Sequence, residues 1–146
     1  MNFAYLSRQF NRSGFRILQY LLEQTSFTPS VVVLPTRGAQ PSLDEENNAK
    51  KERDKYLSEC NRSGASPLRF MHSIKLLARQ HGIRVVEIGS LKRGEGLAVL
   101  RGINPELIVM GGGWPELLSE DAIRMPKLGA INTHPSLLPD FRGTDI

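Results

Sequence analysis

Leu107-Ile108-Val109-Met110-Gly111-Gly112-Gly113, followed at the next apolar run by Gly129-Ala130-Ile131-Asn132-Thr133, sets the fold class of this chain. The first four residues form an uninterrupted apolar run of strand length, closed by glycines. A stretch with helical spacing, from about Pro115 to Arg124, separates it from the second run. Apolar runs without polar alternation belong to strands covered on both faces, and a helix between two of them makes a parallel crossover unit.

Working outward, the same alternation recurs. Phe3 to Leu6 is a short candidate strand, and Phe15, Leu18 and Leu22, with Ile17 and Leu21 beside them, mark a helix from about Gly14 to Gln24. Val31 to Leu34 is a second strand, closed by Pro35, which has no N–H to offer a ladder. A helix carrying Phe70, Ile74 and Leu77 on one face is stopped by Gly82, and a strand follows at Arg84 to Ile88. Leu97 and Leu100 mark another short helix before Pro105. About five strands with helices between them give an α/β fold with an open, doubly wound, mostly parallel sheet. Ligands of such sheets sit beyond the carboxyl ends of the strands, which singles out two loops, Gly111 to Leu118 and Asn132 to Gly143.

Residues 37–66 differ in kind. Leu43, Tyr56 and Leu57 are nearly their only large apolar residues, and the reading is a charged insertion, with a polar surface helix somewhere in Asp44 to Cys60.

At 146 residues, 40% hydrophobic and 23% charged, the chain is one domain's worth of sequence with enough apolar content for a core, which excludes a disordered tail. A single cysteine, Cys60, excludes an internal disulfide and a cysteine-based zinc cluster; the expectation is a reducing, cytoplasmic setting without a metal. Met1 to Phe10 lack a basic-then-apolar order, and no run reaches the roughly 18 to 20 apolar residues of a membrane span, so neither a signal peptide nor a membrane partner is expected. Nineteen Lys plus Arg against 15 Asp plus Glu give a net charge of +4. That balance suits a polyanion but is ordinary for a solvated surface, and no aromatic interleaving points to base stacking.

The expected nucleotide loops are missing. Ser7-Arg8-Gln9-Phe10-Asn11-Arg12-Ser13-Gly14 after the first strand holds one glycine, which fits neither the dinucleotide fingerprint nor the lysine-containing phosphate loop. Gly111-Gly112-Gly113 has no lysine or acidic residue at the required offset.

Asn132 and His134 stand two apart at a strand end, so their side chains project from one face. Pro135 and Pro139 bracket a stiff loop whose N–H groups at Ser136, Leu137 and Leu138 are available to a ligand. An amide donor and a titratable donor suit attack on a carbonyl carbon, where negative charge grows on oxygen. By spacing alone, structural hydrogen bonding is the commoner use of such a pair, and no carboxylate orients His134 toward Ser136 as a nucleophile.

Asn132-Thr133-His134-Pro135-Ser136-Leu137-Leu138-Pro139, followed by Arg142-Gly143, resembles the signature of the folate-dependent formyltransferases. His81-Gly82-Ile83, Asn104-Pro105-Glu106-Leu107-Ile108-Val109 and Pro126-Lys127-Leu128-Gly129 resemble the family's transfer-RNA enzyme in order and spacing, so the likeness covers roughly Phe70 to Ile146. It implies a Rossmann-like formyltransferase fold, incomplete at its carboxyl end, with residues 1–146 as the amino-terminal part of the domain. It also implies transfer of a formyl group from 10-formyltetrahydrofolate to an amine acceptor, such as methionyl-tRNA, an amino-sugar or a nucleotide-linked amine. Asn132 and His134 would be two members of the family's Asn-His-Asp catalytic set. Ser136, Leu137, Leu138 and Pro139 would line the folate site, and Trp114, Pro115, Glu116, Leu117 and Leu118 would wrap the pterin.

The family's Asp lies a few dozen residues beyond the Arg-Gly pair. The sequence runs to Ile146, and Asp140 and Asp145 belong to the loop itself. Losing that carboxylate is expected to cost roughly 10² to 10⁴ in rate, because it orients His134 and favours its charged form. A folate-binding remnant without catalysis and a hydrolase that uses water as acceptor are the alternatives. Association through an exposed last strand is a further expectation.

Overall fold

The computed structural model describes residues 1–36, 51, 54, 58, 62, 72–92 and 94–134. Five strands, β1 (Phe3–Leu6), β2 (Val31–Pro35), β3 (Arg84–Ile88), β4 (Leu107–Met110) and β5 (Ala130–Asn132), form one parallel sheet in the order β3-β2-β1-β4-β5. Among the described residues, four helices have both ends defined: α1 (Arg12–Gln24), α2 (Ile74–Gln80), α3 (Glu95–Ile103) and α4 (Glu120–Arg124). The doubly wound α/β arrangement read from the sequence is the observed one.

The sheet divides the core into two layers because successive side chains of a strand face opposite ways. On one side Tyr5, Val32 and Leu34 meet Phe15 and Leu18 of α1 and Ile74, Leu77 and Ala78 of α2. On the other, Ala4, Leu6, Val31, Val33 and Ile108 meet Leu97 and Leu100 of α3, Ala122 of α4 and the loop residues Leu91 and Trp114. All four residues of β1 are buried, as its central place requires. At one margin Arg84 and Glu87 of β3 are exposed, and Glu87 pairs with Lys75. At the other, Ile131 of β5 stays 54% exposed.

Local chemistry sets the helix starts. The Asn11 side chain accepts the N–H of Gly14 at 2.7 Å, so α1 begins at Arg12, two residues earlier than its apolar spacing predicts. Ser73 caps α2 and Ser119 caps α4 in the same way. The helix expected over Pro115 to Arg124 is confined to Glu120–Arg124, since the Ser119 cap and the hydrogen bonds of Glu116 hold the preceding residues outside the helix. Phe70 lies outside the described residues. Within the charged insertion, Lys51, Asp54, Ser58 and Arg62 are helical and exposed, as a polar surface helix requires; its other residues lie outside the described set.

Candidate functional site

The strand order reverses at β1. From there the chain moves outward to β2 and β3, then returns through α3 to β4 on the other flank. The crevice between the carboxyl ends of β1 and β4 is therefore the switch point where ligands of this architecture bind. Two segments wall it, Ser7 to Gly14 after β1 and Gly111 to Leu118 after β4.

These segments are fitted closely to one another. The buried Ser7 hydroxyl donates to the Gly112 carbonyl at 2.9 Å, and the Tyr5 hydroxyl donates to the Gly14 carbonyl at 2.6 Å. A Cβ on Gly111 would stand 1.7 Å from the Tyr5 oxygen. Gly113 has φ +71°, and a Cβ there would lie 2.6 Å from Asn11 Nδ2. The glycines are thus spent on contact between the two loops. Burial pushes the Tyr5 phenol above its usual range, partly offset by the Leu18 backbone N–H.

After the glycines the chain turns back over the α3 side of the sheet. Trp114 is 8% exposed, and among the described residues its indole Nε1–H meets no acceptor. Pro115 is exposed, and Leu118 packs partly against the core beneath. The Glu116 carboxylate accepts the Ser90 hydroxyl at 2.9 Å and the Leu91 backbone N–H. Leu117 is left 86% exposed.

Beside this loop, β5 ends in register with β4. Met110 pairs with Asn132, and both the N–H and the hydroxyl of Thr133 donate to the Met110 carbonyl, at 3.1 and 3.0 Å. Gly111 and Thr133 therefore leave the sheet side by side. Asn132 is exposed at the strand end and shares the face of Ala130, the face that carries Trp114. His134 follows, half-buried, two residues on.

A family model described as formyl transferase matches residues 21–146. The chain belongs to the formyl transferase family. It is also similar to methionyl-tRNA formyltransferases, with 40% identity over 70 residues to that of Citrifermentans bemidjiense and 44% over 71 residues to that of Akkermansia muciniphila. These alignments cover 48% and 49% of this chain and 22% of each relative, so the chain spans well under two thirds of the length of the curated relatives it matches.

Within this formyl transferase chain, the sequence-derived site residues fall into three groups. Asn132 and His134 lie together at the end of β5. Trp114 to Leu118 lie on the neighbouring loop but in different settings: Trp114 is core, Glu116 is engaged by Ser90 and Leu91, and Pro115 and Leu117 face outward. Ser136, Leu137, Leu138 and Pro139 lie outside the described residues. Sequence reasoning overlooked Asn11 and Ser7, which build the other wall of the crevice. Asn11 had a readable signal, an N-cap residue type directly before an amphipathic run. Among the described residues no group of three or more His, Cys, Asp or Glu is placed to hold a metal ion, and no helix is long and apolar enough to cross a membrane.

Proposed function

We propose that this chain contributes the formyl-donor half of an active site that transfers a formyl group from 10-formyltetrahydrofolate to an amine, with Asn132 and His134 acting on the reacting carbonyl. The observation that carries the reading is the placement of an exposed amide and a half-buried imidazole at the carboxyl end of β5, beside the loop that closes the switch-point crevice. In attack by an amine on the formyl carbon, a new C–N bond forms, charge gathers on the oxygen, and the bond to the folate N10 then breaks. Asn132 offers a fixed N–H dipole to that oxygen, and His134 takes the proton that the amine loses and returns it to the departing nitrogen. The backbone of residues 114–118 is proposed to wrap the pterin, and residues 136–139 to line the folate site. The chain's similarity to methionyl-tRNA formyltransferases favours methionyl-tRNA as the acceptor, and the cytoplasm is the proposed setting.

The test is titration of the purified chain with 5-formyltetrahydrofolate, followed by emission of Trp114, the chain's single tryptophan. Formyl transfer from 10-formyltetrahydrofolate to methionyl-tRNA is then measured. Saturable binding with detectable transfer is expected. Asn132→Ala and His134→Ala should each lower transfer by roughly 10² to 10³ while changing folate affinity by only a few-fold. Binding without transfer would select the non-catalytic module. Absence of binding by a folded chain would overturn the reading.

A further inference from the structure

The structure assigns to Glu116 a positioning role: its carboxylate is a latch that fixes the backbone of residues 114–118 for a ligand, an inference that rests on the folate reading above. Both carboxylate oxygens are already committed within the protein, one to the Ser90 hydroxyl and one to the Leu91 N–H. Ser90 Oγ in turn accepts the Lys92 N–H at 3.1 Å. Three residues beyond Glu116, Ser119 makes a second attachment to the same segment, donating to the Leu91 carbonyl at 3.0 Å while capping α4. The loop is thus pinned on both sides of the protruding Leu117.

The anchor is itself held by packing. Leu91 is fully buried against the same core as Trp114. The first turn of α3 presses on Ser90 so closely that a Cβ on Gly96 would stand 2.4 Å from the Ser90 carbonyl oxygen. A charged acceptor that receives two N–H or O–H donors holds its loop more firmly than neutral contacts do. Backbone groups held in place beforehand cost a ligand less ordering when it binds. Glu116 therefore acts on the ligand through the loop and not by touching it, and Ser90, which belongs to neither site loop, is part of the same device.

That distinction fixes the experiment. Affinity for 5-formyltetrahydrofolate is measured for Glu116→Ala, Ser90→Ala, the double variant and Glu116→Gln, together with melting temperature and hydrogen exchange of the peptide spanning 112–119. Loss of the charge-assisted bonds in Glu116→Ala is expected to weaken binding about tenfold. Ser90→Ala should weaken it less, and the double variant should resemble Glu116→Ala alone, since both remove one device. Glu116→Gln should recover most of the affinity, because its amide oxygen still accepts from Leu91 and its NH₂ can donate to Ser90 Oγ. Faster exchange in the peptide should accompany each loss. A weakened Glu116→Ala beside an unaffected Ser90→Ala would mean direct ligand contact and would overturn the latch. So would variants that lower melting temperature but leave affinity and exchange as in the parent. If the parent chain binds no folate, the folate reading fails separately. Exchange then decides the latch by itself: faster in Glu116→Ala and Ser90→Ala upholds it, unchanged refutes it.

Discussion

Replacing Gly111 by alanine adds one methyl group where the structure has the least space for it. The new Cβ would lie 1.7 Å from the Tyr5 hydroxyl oxygen, 2.2 Å from Cζ and 2.9 Å from Cε1. The backbone cannot retreat, because the Gly111 N–H donates to the Leu6 carbonyl at 2.9 Å and so continues the β1–β4 ladder. The φ of Gly111 is not positive, so alanine meets no backbone strain, and the whole effect is steric. Tyr5 must give way, yet its ring is held among Phe15, Leu18 and Val32. Overpacking of this kind costs about 1–3 kcal/mol, and losing the hydrogen bond to Gly14 adds about 1 kcal/mol. The sum, about 2–4 kcal/mol, corresponds to a melting point lowered by roughly 6–16 °C for a chain of this size. Urea unfolding gives the free energy directly. A second variant separates steric conflict from other causes: Tyr5→Leu removes the ring, so Gly111→Ala combined with Tyr5→Leu should lose at least about 1 kcal/mol less than the two single losses added. A Gly111→Ala loss below about 0.5 kcal/mol, or simple additivity in the double variant, would refute the reasoning.

Other outcomes follow from the same crevice. Tyr5→Phe should lose about 1 kcal/mol at neutral pH, read by urea unfolding, through the bond to Gly14. Because burial raises the phenol, the folded chain keeps a proton that the unfolded chain releases near pH 10; that stability is complete below about pH 10 and declines as pH rises further. Tyr5→Phe should flatten the decline, and equal slopes in parent and variant would exclude Tyr5 as its source. Asn11→Ala removes the cap of α1 and should cost about 1 kcal/mol in the same assay, with Asn11→Asp recovering most of it. Emission from Trp114, buried beneath the loop, should be blue-shifted in the folded chain and move red on unfolding.

How much of this was legible beforehand depended on whether the determining contact was local. β1 and β4 were readable residue for residue, since apolar runs such as Leu107 to Met110 are required by burial on two faces, and the bounds of β3, whose Arg84 and Glu87 are exposed at the sheet margin, were read equally well. Asn132 and His134 were singled out by the resemblance of their motif more than by spacing, since β5 ends at Asn132 and strand alternation does not extend to His134. The extent of α4 was not readable. Glu116 looks like an ordinary early residue of that helix, and only the arrival of Ser90, 26 residues earlier in sequence, shows why its segment stays irregular. The need for the glycines at 111 and 113 was likewise hidden, because the atoms that fill the space beside them belong to Tyr5 and Asn11, about a hundred residues away in sequence.

The strand order has a consequence for the birth of the molecule. β1 finds β2 early, since Ala4 pairs with Val31, but its other neighbour begins at Leu107. During synthesis, the stretch from Val33 to Met110 takes roughly 4 to 15 s to add at about 5–20 residues per second. For that interval one side of a wholly apolar strand stands open, long after its first partner is ready and far beyond the time in which strands pair. The nascent chain is most exposed to faulty association then, at the ribosome. Substitutions that weaken only the β1–β2–β3 half would therefore lower the yield of protein in the cell more than equilibrium unfolding of the finished molecule reveals.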